Sequence, residues 1–223
     1  RCGRGLCQLG QDLGLGGAAE HRGGRDGRLC DPRRGGGGSD RQGPGLLADQ
    51  TGDGRGEILL GSPTSGGGDG AVWVVDGQGT GGVVNLGALS TGYKISGEAG
   101  SGAGVSVADA GDINGDGRHD ILIGGTSAAW LVYGQAGHAD VQLSDVAAGI
   151  GGVRITGGNL AGLVVLGNAD LNRDGVADLI LGTPHDTEGG AEAGAVYVAW
   201  GDQLYRGVNL AELSASIGGA KIL

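Results

Sequence analysis

The sequence predicts an all-β repeat fold, and three observations carry that prediction. A unit of about 60 residues recurs three times with its landmarks in the same order. Helical periodicity is almost absent, because the apolar residues fall in short runs separated by Gly-rich turns. Gly accounts for 56 of 223 residues, and Phe and Met are absent, so Val, Ile, Leu and Ala must build the core. Four short strands per unit predict a partial β-propeller of about three four-stranded blades.

Each unit contains the same landmarks in the same order, beginning with an acidic turn. An acidic turn leads into a short apolar strand, which ends in Gly-Ser-Pro, Gly-Gly-Thr or Gly-Thr-Pro. An aromatic strand follows, at residues 71–75, 129–133 and 195–200. A Val-x-Leu phrase comes next, and segments 83–89 and 141–146 are candidates for a single helical or 3₁₀ turn. The recurring tryptophans of the aromatic strands are expected to pack between sheets.

The acidic turn is the most specific landmark. Its copies begin at Asp49, Asp112 and Asp170, at spacings of 63 and 58 residues. In every copy an oxygen-bearing side chain stands at positions 1, 3, 5 and 9, and Gly stands at position 6. Ca²⁺ prefers six to eight hard oxygen ligands from a flexible loop, and Gly permits the sharp turn. The pattern therefore predicts about three Ca²⁺ sites, in loops 49–57, 112–120 and 170–178.

The candidate ligands are the side chains at positions 1, 3, 5 and 9 and the backbone carbonyl at position 7. They are Asp49, Thr51, Asp53, Arg55 and Glu57 in the first loop, Asp112, Asn114, Asp116, Arg118 and Asp120 in the second, and Asp170, Asn172, Asp174, Val176 and Asp178 in the third. The competing interpretation is a solvated Asp-Gly turn, which three matched copies disfavour. An EF-hand would need a bidentate Glu at position 12, where this chain has Leu60, Ile123 and Leu181.

With the acidic loop, the Gly-Ser-Pro or Gly-Thr-Pro turn and the aromatic strand in fixed order, residues 45–223 resemble the FG-GAP repeat family. That family forms the seven-bladed β-propeller of integrin α subunits and of many bacterial surface and secreted proteins. Its Phe-Gly signature is altered here to Gly104-Val105 and Gly162-Leu163. The resemblance implies Ca²⁺ in the three loops on one rim, a ligand-binding surface on the opposite rim, and a chain that is a fragment of a larger propeller.

Charge and composition divide the chain. Residues 45–223 carry 7 basic and 20 acidic residues, a balance that repels nucleic acid and suits divalent cations. No apolar run approaches the ~18 residues of a membrane helix, so no membrane insertion is expected.

Residues 1–44 hold eight of the fifteen basic residues and all three cysteines, with no strand pattern. We expect this Gly/Arg-rich segment to be aberrant or disordered.

The expected role of the metal is structural, because nothing in the loops singles out an open coordination position beside an acid or base. No Ser or Cys stands in a context typical of a catalytic nucleophile, so no catalytic residue is predicted. His119 lies inside the second loop and is expected to be exposed and without a partner. His185 is expected to be an ordinary loop histidine.

These features predict a calcium-binding module of a cell-surface or secreted protein that mediates adhesion by binding a protein or glycan ligand. Weak calcium sites fill only at extracellular calcium concentrations, which favours a location outside the cell. Two alternatives stay open at this point. The module could be the non-catalytic propeller of an extracellular hydrolase that acts on phospholipids or polysaccharides, or it could be an architectural spacer.

Overall fold

The computed structural model describes residues 44–78, 82–160, 163–191, 193–213 and 218–223. All of them belong to one compact unit, Gln42–Leu223. The segment expected to be aberrant or disordered, residues 1–44, lies outside the described residues except for Pro44.

The described residues form three β-sheets, which confirms the all-β prediction. The strands are β1 (Gly45–Leu47), β2 (Glu57–Ser62), β3 (Ala71–Val75), β4 (Gly92–Ser96), β5 (Ser106–Gly111), β6 (Asp120–Gly124), β7 (Ala129–Val132), β8 (Val141–Gln142), β9 (Gly152–Thr156), β10 (Val164–Ala169), β11 (Asp178–Thr183), β12 (Ala195–Ala199), β13 (Val208–Asn209) and β14 (Gly219–Ile222). Sheet A has the order β1-β2-β3-β4-β8, sheet B the order β13-β9-β7-β6-β5, and sheet C the order β10-β11-β12-β14.

Helical structure is confined to short segments of three to six residues. The only α-helix in the described part of the chain is α1 (Leu143–Ala147), and 3₁₀ turns occupy Ser65–Gly67, Leu86–Ala88, Gly201–Arg206 and Leu210–Glu212. A turn begins at the Leu of each Val-x-Leu phrase. The turns at Leu86–Ala88 and Leu143–Ala147 confirm the helical turns predicted for segments 83–89 and 141–146, whereas the turn at Leu210–Glu212 is an additional one. None of the described helices has the length and apolar character that a membrane span requires.

The prediction of four strands per sheet is wrong for sheets A and B, which have five. In each sheet four strands form an antiparallel meander, and a two-residue strand from the following unit then pairs in parallel with the last of them. Val141 of β8 pairs with Ile95, and Val208 of β13 pairs with Ile155. An uncovered sheet edge presents unpaired N–H and C=O groups. The first two residues of the Val-x-Leu phrase provide hydrogen-bond partners for such groups at the outer edge of the preceding sheet.

Register defines two faces on every sheet, because side chains alternate along a strand. Strands β2, β6 and β11 begin with the acidic residue at loop position 9. The first residue after this acidic residue lies on one face of the sheet, which we call the back face. The second residue after it lies on the opposite face, which we call the front face. The back-face residues at this level are Ile58, Ile121 and Leu179, and the front-face residues are Leu59, Leu122 and Ile180.

Two cores lie between the three sheets. The front of sheet A packs on the back of sheet B, where Leu59 and Val74 share a buried cluster with Ile121, Ile123 and Trp130. The front of sheet B packs in the same way on the back of sheet C, where Leu122 and Leu131 share a second cluster with Leu179, Leu181 and Tyr197. Trp130 is fully buried, which confirms for this tryptophan that it packs between sheets.

The sheets approach most closely at their first strands, β1, β5 and β10, which lie side by side. Gly104, at the altered Phe-Gly signature, has a φ of +93°. A Cβ atom there would lie 2.7 Å from the carbonyl oxygen of Ala71, so both the conformation and the space require glycine. The described residues do not close a ring, because the back of sheet A and the front of sheet C remain partly exposed.

Candidate metal centres in the three acidic loops

The three acidic loops connect the first two strands of each sheet and lie at one end of the sheet array. Contacts between neighbouring units place them there. The Gln50 amide, in the first loop, donates to the carbonyl oxygen of His119, in the second, at 2.6 Å. The Asn168 amide, at the end of β10, donates to the Asp109 carboxylate, near the end of β5, at 3.3 Å. The predicted candidate ligands are therefore brought to one rim of the molecule.

The aspartate at position 1 organises each loop. Asp112 accepts hydrogen bonds from the N–H groups of Gly115, Asp116 and Gly117, at 2.8, 3.0 and 2.8 Å, and uses both carboxylate oxygens. Asp49 and Asp170 accept the equivalent three bonds in their own loops. These N–H groups, that of Gly54 foremost, lower the pKa of Asp49. The charged form of the Asp49 carboxylate is thereby favoured at the centre of its turn.

Positions 3 and 5 form a linked, exposed pair in the second and third loops. The Asn114 amide donates to Asp116 Oδ2 at 3.0 Å, and Asn114 Oδ1 accepts from the Asp116 N–H at 3.0 Å. Asn172 and Asp174 repeat this pair, at 2.7 and 3.0 Å.

The first loop differs from the other two at position 3. The Thr51 hydroxyl lies 3.5 Å from both Asp49 Oδ1 and Glu57 Oε1. Oxygens of positions 1, 3 and 9 therefore lie close together in this loop.

In the second and third loops, the acidic residue at position 9 is buried and connects the loop to its sheet. Asp120 accepts from the N–H of Ile113, at position 2, at 3.0 Å and from that of Gly134, beyond the end of β7, at 2.8 Å. Asp178 makes the equivalent bonds to the N–H groups of Leu171 and Gly201, at 2.7 and 3.0 Å. Both aspartates are fully buried, so each carboxylate also completes the hydrogen bonding of the backbone around it.

The carboxylates of one loop repel one another. The pKa of Asp120 is raised to about 6, chiefly by burial and in smaller part by the negative charges of Asp116 and Asp112. Burial also raises the pKa of Glu57, with a smaller contribution from the charge of Asp49. A cation in the loop would relieve this repulsion and favour the charged forms.

The residues of each loop fit Ca²⁺ in their chemistry, although their carboxylates are not gathered around one point. In the described part of the chain, no three or more His, Cys, Asp or Glu side chains stand together as metal ligands would. The carboxylates bind backbone N–H groups instead. A carboxylate has about four lone-pair sites and can accept an N–H while it ligates a cation. Each loop therefore offers oxygen donors only, which is the set that Ca²⁺ prefers.

The expectation for His119 is wrong. Its side chain is only 31% exposed, and Nδ1 lies 2.8 Å from Asp109 Oδ1. Asp109 also accepts from the Ala48 N–H at 3.3 Å and from the Asn168 amide, so one carboxylate connects all three units. The repeat pattern could not reveal this residue, because Asp109 has no acidic counterpart in the other two units.

A second polar cluster lies at the opposite end of sheet C, in the loop between β11 and β12. The buried Asp186 accepts from the Tyr197 hydroxyl at 2.8 Å and from the Glu188 N–H at 2.9 Å. The Glu188 N–H is the main reason that the pKa of Asp186 is lowered. Lys221 pairs with Glu188 and lies 4.8 Å from the centre of the Tyr197 ring. His185 is exposed beside this cluster, as expected of a loop histidine.

The fold and the loops together define a class: an all-β repeat protein in which each sheet carries an acidic loop between its first two strands. Residues 164–199 match the family model of the FG-GAP repeat. This segment runs from β10 through the third acidic loop to the end of β12, so the resemblance seen in the sequence is confirmed for the third unit. A comparison with curated proteins gives no match.

Proposed function

We propose that residues 45–223 form a calcium-binding module of β-propeller type, with structural metal ions, from a cell-surface or secreted protein that binds a protein or glycan ligand. The FG-GAP repeat supports the propeller architecture, since each sheet would then be one blade. FG-GAP repeats are typical of extracellular or surface proteins. The observation that carries the proposal is the hydrogen-bonded turn around the aspartate at position 1, which is the same in all three loops.

The oxygens at positions 1, 3, 5, 7 and 9 would hold one Ca²⁺ in each loop. When bound, the ion supplies the positive charge that offsets repulsion among the carboxylates. At ~1 mM free calcium, a site with a Kd of ~10⁻⁴ M stabilises the folded state by roughly 1.4 kcal/mol. Position 9 connects that stabilisation to the sheet, because the same carboxylate binds the backbone beyond the third strand of sheets B and C.

The ligand-binding surface is proposed on the rim opposite the acidic loops. The loop between β11 and β12 lies on that rim, because β11 begins at the third acidic loop and runs away from it. Its Asp186–Tyr197 and Glu188–Lys221 contacts connect the loop to β12 and β14. A loop held by side chains of the sheet presents its exposed residues in a fixed position, which lowers the entropic cost of binding.

The metal proposal predicts the stoichiometry of calcium binding. Isothermal titration calorimetry with Ca²⁺ should show up to three sites. Asp116→Ala and Asp174→Ala should each remove one, because each deletes the carboxylate at position 5 of one loop. Asp145→Ala is the matched control, since Asp145 is an exposed aspartate of α1 outside the loops. Unchanged stoichiometry in both loop variants would refute the metal proposal.

The ligand proposal needs a separate test. Glycan-array binding and cell-adhesion assays with the full chain should identify a specific ligand. Substitutions at exposed residues of the loop between β11 and β12, such as His185→Ala, should weaken its binding. The absence of any specific ligand would favour the architectural spacer instead.

A further inference from the structure

The three sheets pack by one rule, front face on back face. The front of sheet A covers the back of sheet B, and the front of sheet B covers the back of sheet C. The two faces of a sheet are therefore different surfaces with complementary roles. Each interface joins a front face to a back face and is therefore heterologous. An array of sheets that packs in this way has one free back face at one end and one free front face at the other.

The back of sheet A and the front of sheet C are the two faces that lack such a partner in the described part of the chain. On the back of sheet A, Leu46 is 78% exposed and Ile58 is also exposed. Ile121 and Leu179, which correspond to Ile58 in sheets B and C, are completely buried. On the front of sheet C, Leu166 is 56% and Ile222 is 59% exposed. Contiguous exposed apolar residues of this kind mark interaction surfaces.

A groove of about 360 Å³ lies on the front of sheet C, where no neighbouring sheet packs in the described part of the chain. It lies beside Gly182 and is lined by apolar residues that include Val164, Pro184 and Ile222. The corresponding glycines of the other sheets have close neighbours from the next unit. The backbone of Gly104 contacts Gly61, and the buried Leu163 contacts Gly124.

We propose that the front of sheet C receives the back of sheet A from a second copy of this chain, so that copies associate head to tail. The two faces match in chemistry, because the only charged residue at the front-face positions of the four strands of sheet C is the fully buried Asp178, and the back of sheet A presents Leu46 and Ile58. The inference concerns the sheet faces and does not depend on calcium binding.

The one basic residue on the back of sheet A is compatible with this packing. Lys94 stands across from Trp73, and its Nζ lies 5.6 Å from the centre of the Trp73 ring. Arg154 occupies the same place on the back of sheet B, across from Trp130. Sheet A already packs against that back face, with Glu98 at 3.5 Å from the Arg154 guanidinium. A basic residue at this position is therefore no barrier to a front face.

The test uses one variant for each face of the full chain. Leu166→Asp places a charge on the front of sheet C, and Leu46→Asp places one on the back of sheet A. Val83→Asp is the control, because Val83 is 92% exposed in a loop outside both faces. Molar mass is measured by light scattering and sedimentation over a range of protein concentrations at fixed calcium, and circular dichroism checks that each variant is folded.

The expected pattern is specific to head-to-tail association. Wild type and Val83→Asp should increase in mass with concentration, whereas each face variant alone should stay monomeric. An equimolar mixture of the two face variants should form a heterodimer of twice the monomer mass, because one variant retains a normal back face and the other a normal front face. If either variant is misfolded, Ile222→Asp and Ile58→Asp test the same two faces.

Two results would overturn the inference. One is a wild-type chain that stays monomeric at every concentration, which would show that the two faces do not bind each other. The other is a wild type that associates while the mixed variants form no heterodimer, which would show that other surfaces make the contact.

Discussion

Gln50 occupies position 2 of the first acidic loop, where the other two loops have Ile113 and Leu171. It is almost completely buried. Its amide donates to the carbonyl of His119 at 2.6 Å, and its Oε1 accepts from the Tyr93 hydroxyl at 3.0 Å. One polar side chain thus joins the first loop to sheet A and to the second loop.

Replacing Gln50 should destabilise the fold measurably. Gln50→Leu, the residue type of the third loop, leaves the Tyr93 hydroxyl and the His119 carbonyl without this partner. The expected loss is about 1–3 kcal/mol, because a buried polar group that loses its partner keeps its desolvation cost. Urea unfolding measures it.

The control at this scale is Gln78→Leu, since Gln78 is exposed and should change stability by less than ~0.5 kcal/mol. Adding Tyr93→Phe to Gln50→Leu should recover part of the loss, because it removes the buried hydroxyl that has lost Gln50 and keeps only the Gln135 side chain as a partner. Equal stabilities of Gln50→Leu and wild type would show that this contact contributes nothing.

At the level of the element, the second and third acidic loops each perform two separable tasks. The carboxylate at position 9 is buried and binds backbone N–H groups of the sheet, whereas the one at position 5 is exposed and bonds only within its loop in the described structure. The first task stabilises the hairpin with or without metal. The second is required only for the proposed cation site.

This division predicts different metal dependences for Asp120→Ala and Asp116→Ala. With a chelator present, Asp120→Ala should lower the free energy of unfolding by about 2–4 kcal/mol, because the N–H groups of Ile113 and Gly134 lose their acceptor. Asp116→Ala should have little effect under the same conditions. In millimolar calcium it should lose the added stability of one site. Equal behaviour of the two variants in chelator would contradict the division.

At the scale of the whole molecule, sheet B contributes to both cores. Its back face lies in the cluster shared with sheet A, and its front face lies in the cluster shared with sheet C. Neither outer sheet can lose its packing without exposing part of sheet B. We therefore expect residues 45–223 to unfold as one cooperative unit, as neighbouring repeats do when they share an interface.

Calcium removal should shift that single transition. Three sites at roughly 1.4 kcal/mol each give about 4 kcal/mol at millimolar calcium, which corresponds to roughly 8–16 °C in Tm for a domain of this size. Differential scanning calorimetry with calcium, with chelator and with Mg²⁺ measures the shift. Mg²⁺ should protect less, since it demands octahedral geometry and gives up its waters reluctantly. A Tm that is unaffected by calcium would contradict a structural role for the metal.

The parts of this protein that depend on local spacing can be predicted from the sequence alone. The turn around the aspartate at position 1 is made within six residues, so its donors can be read from the chain. The strands follow from short apolar runs, and the third unit is recognisable as an FG-GAP repeat. Position 9 was identifiable as an acidic residue, but its burial was not.

The contacts between units could not be predicted from local spacing, because they depend on how the sheets pack. The added strands β8 and β13, the Tyr93–Gln50–His119 chain and the Asp109 carboxylate join residues that are distant in sequence and occur in single or unequal copies. A repeat pattern reveals the residues that the units have in common, whereas these contacts are made by residues that differ between the units. Their partners become neighbours only when the sheets pack, because burial then requires each polar group to find a hydrogen bond.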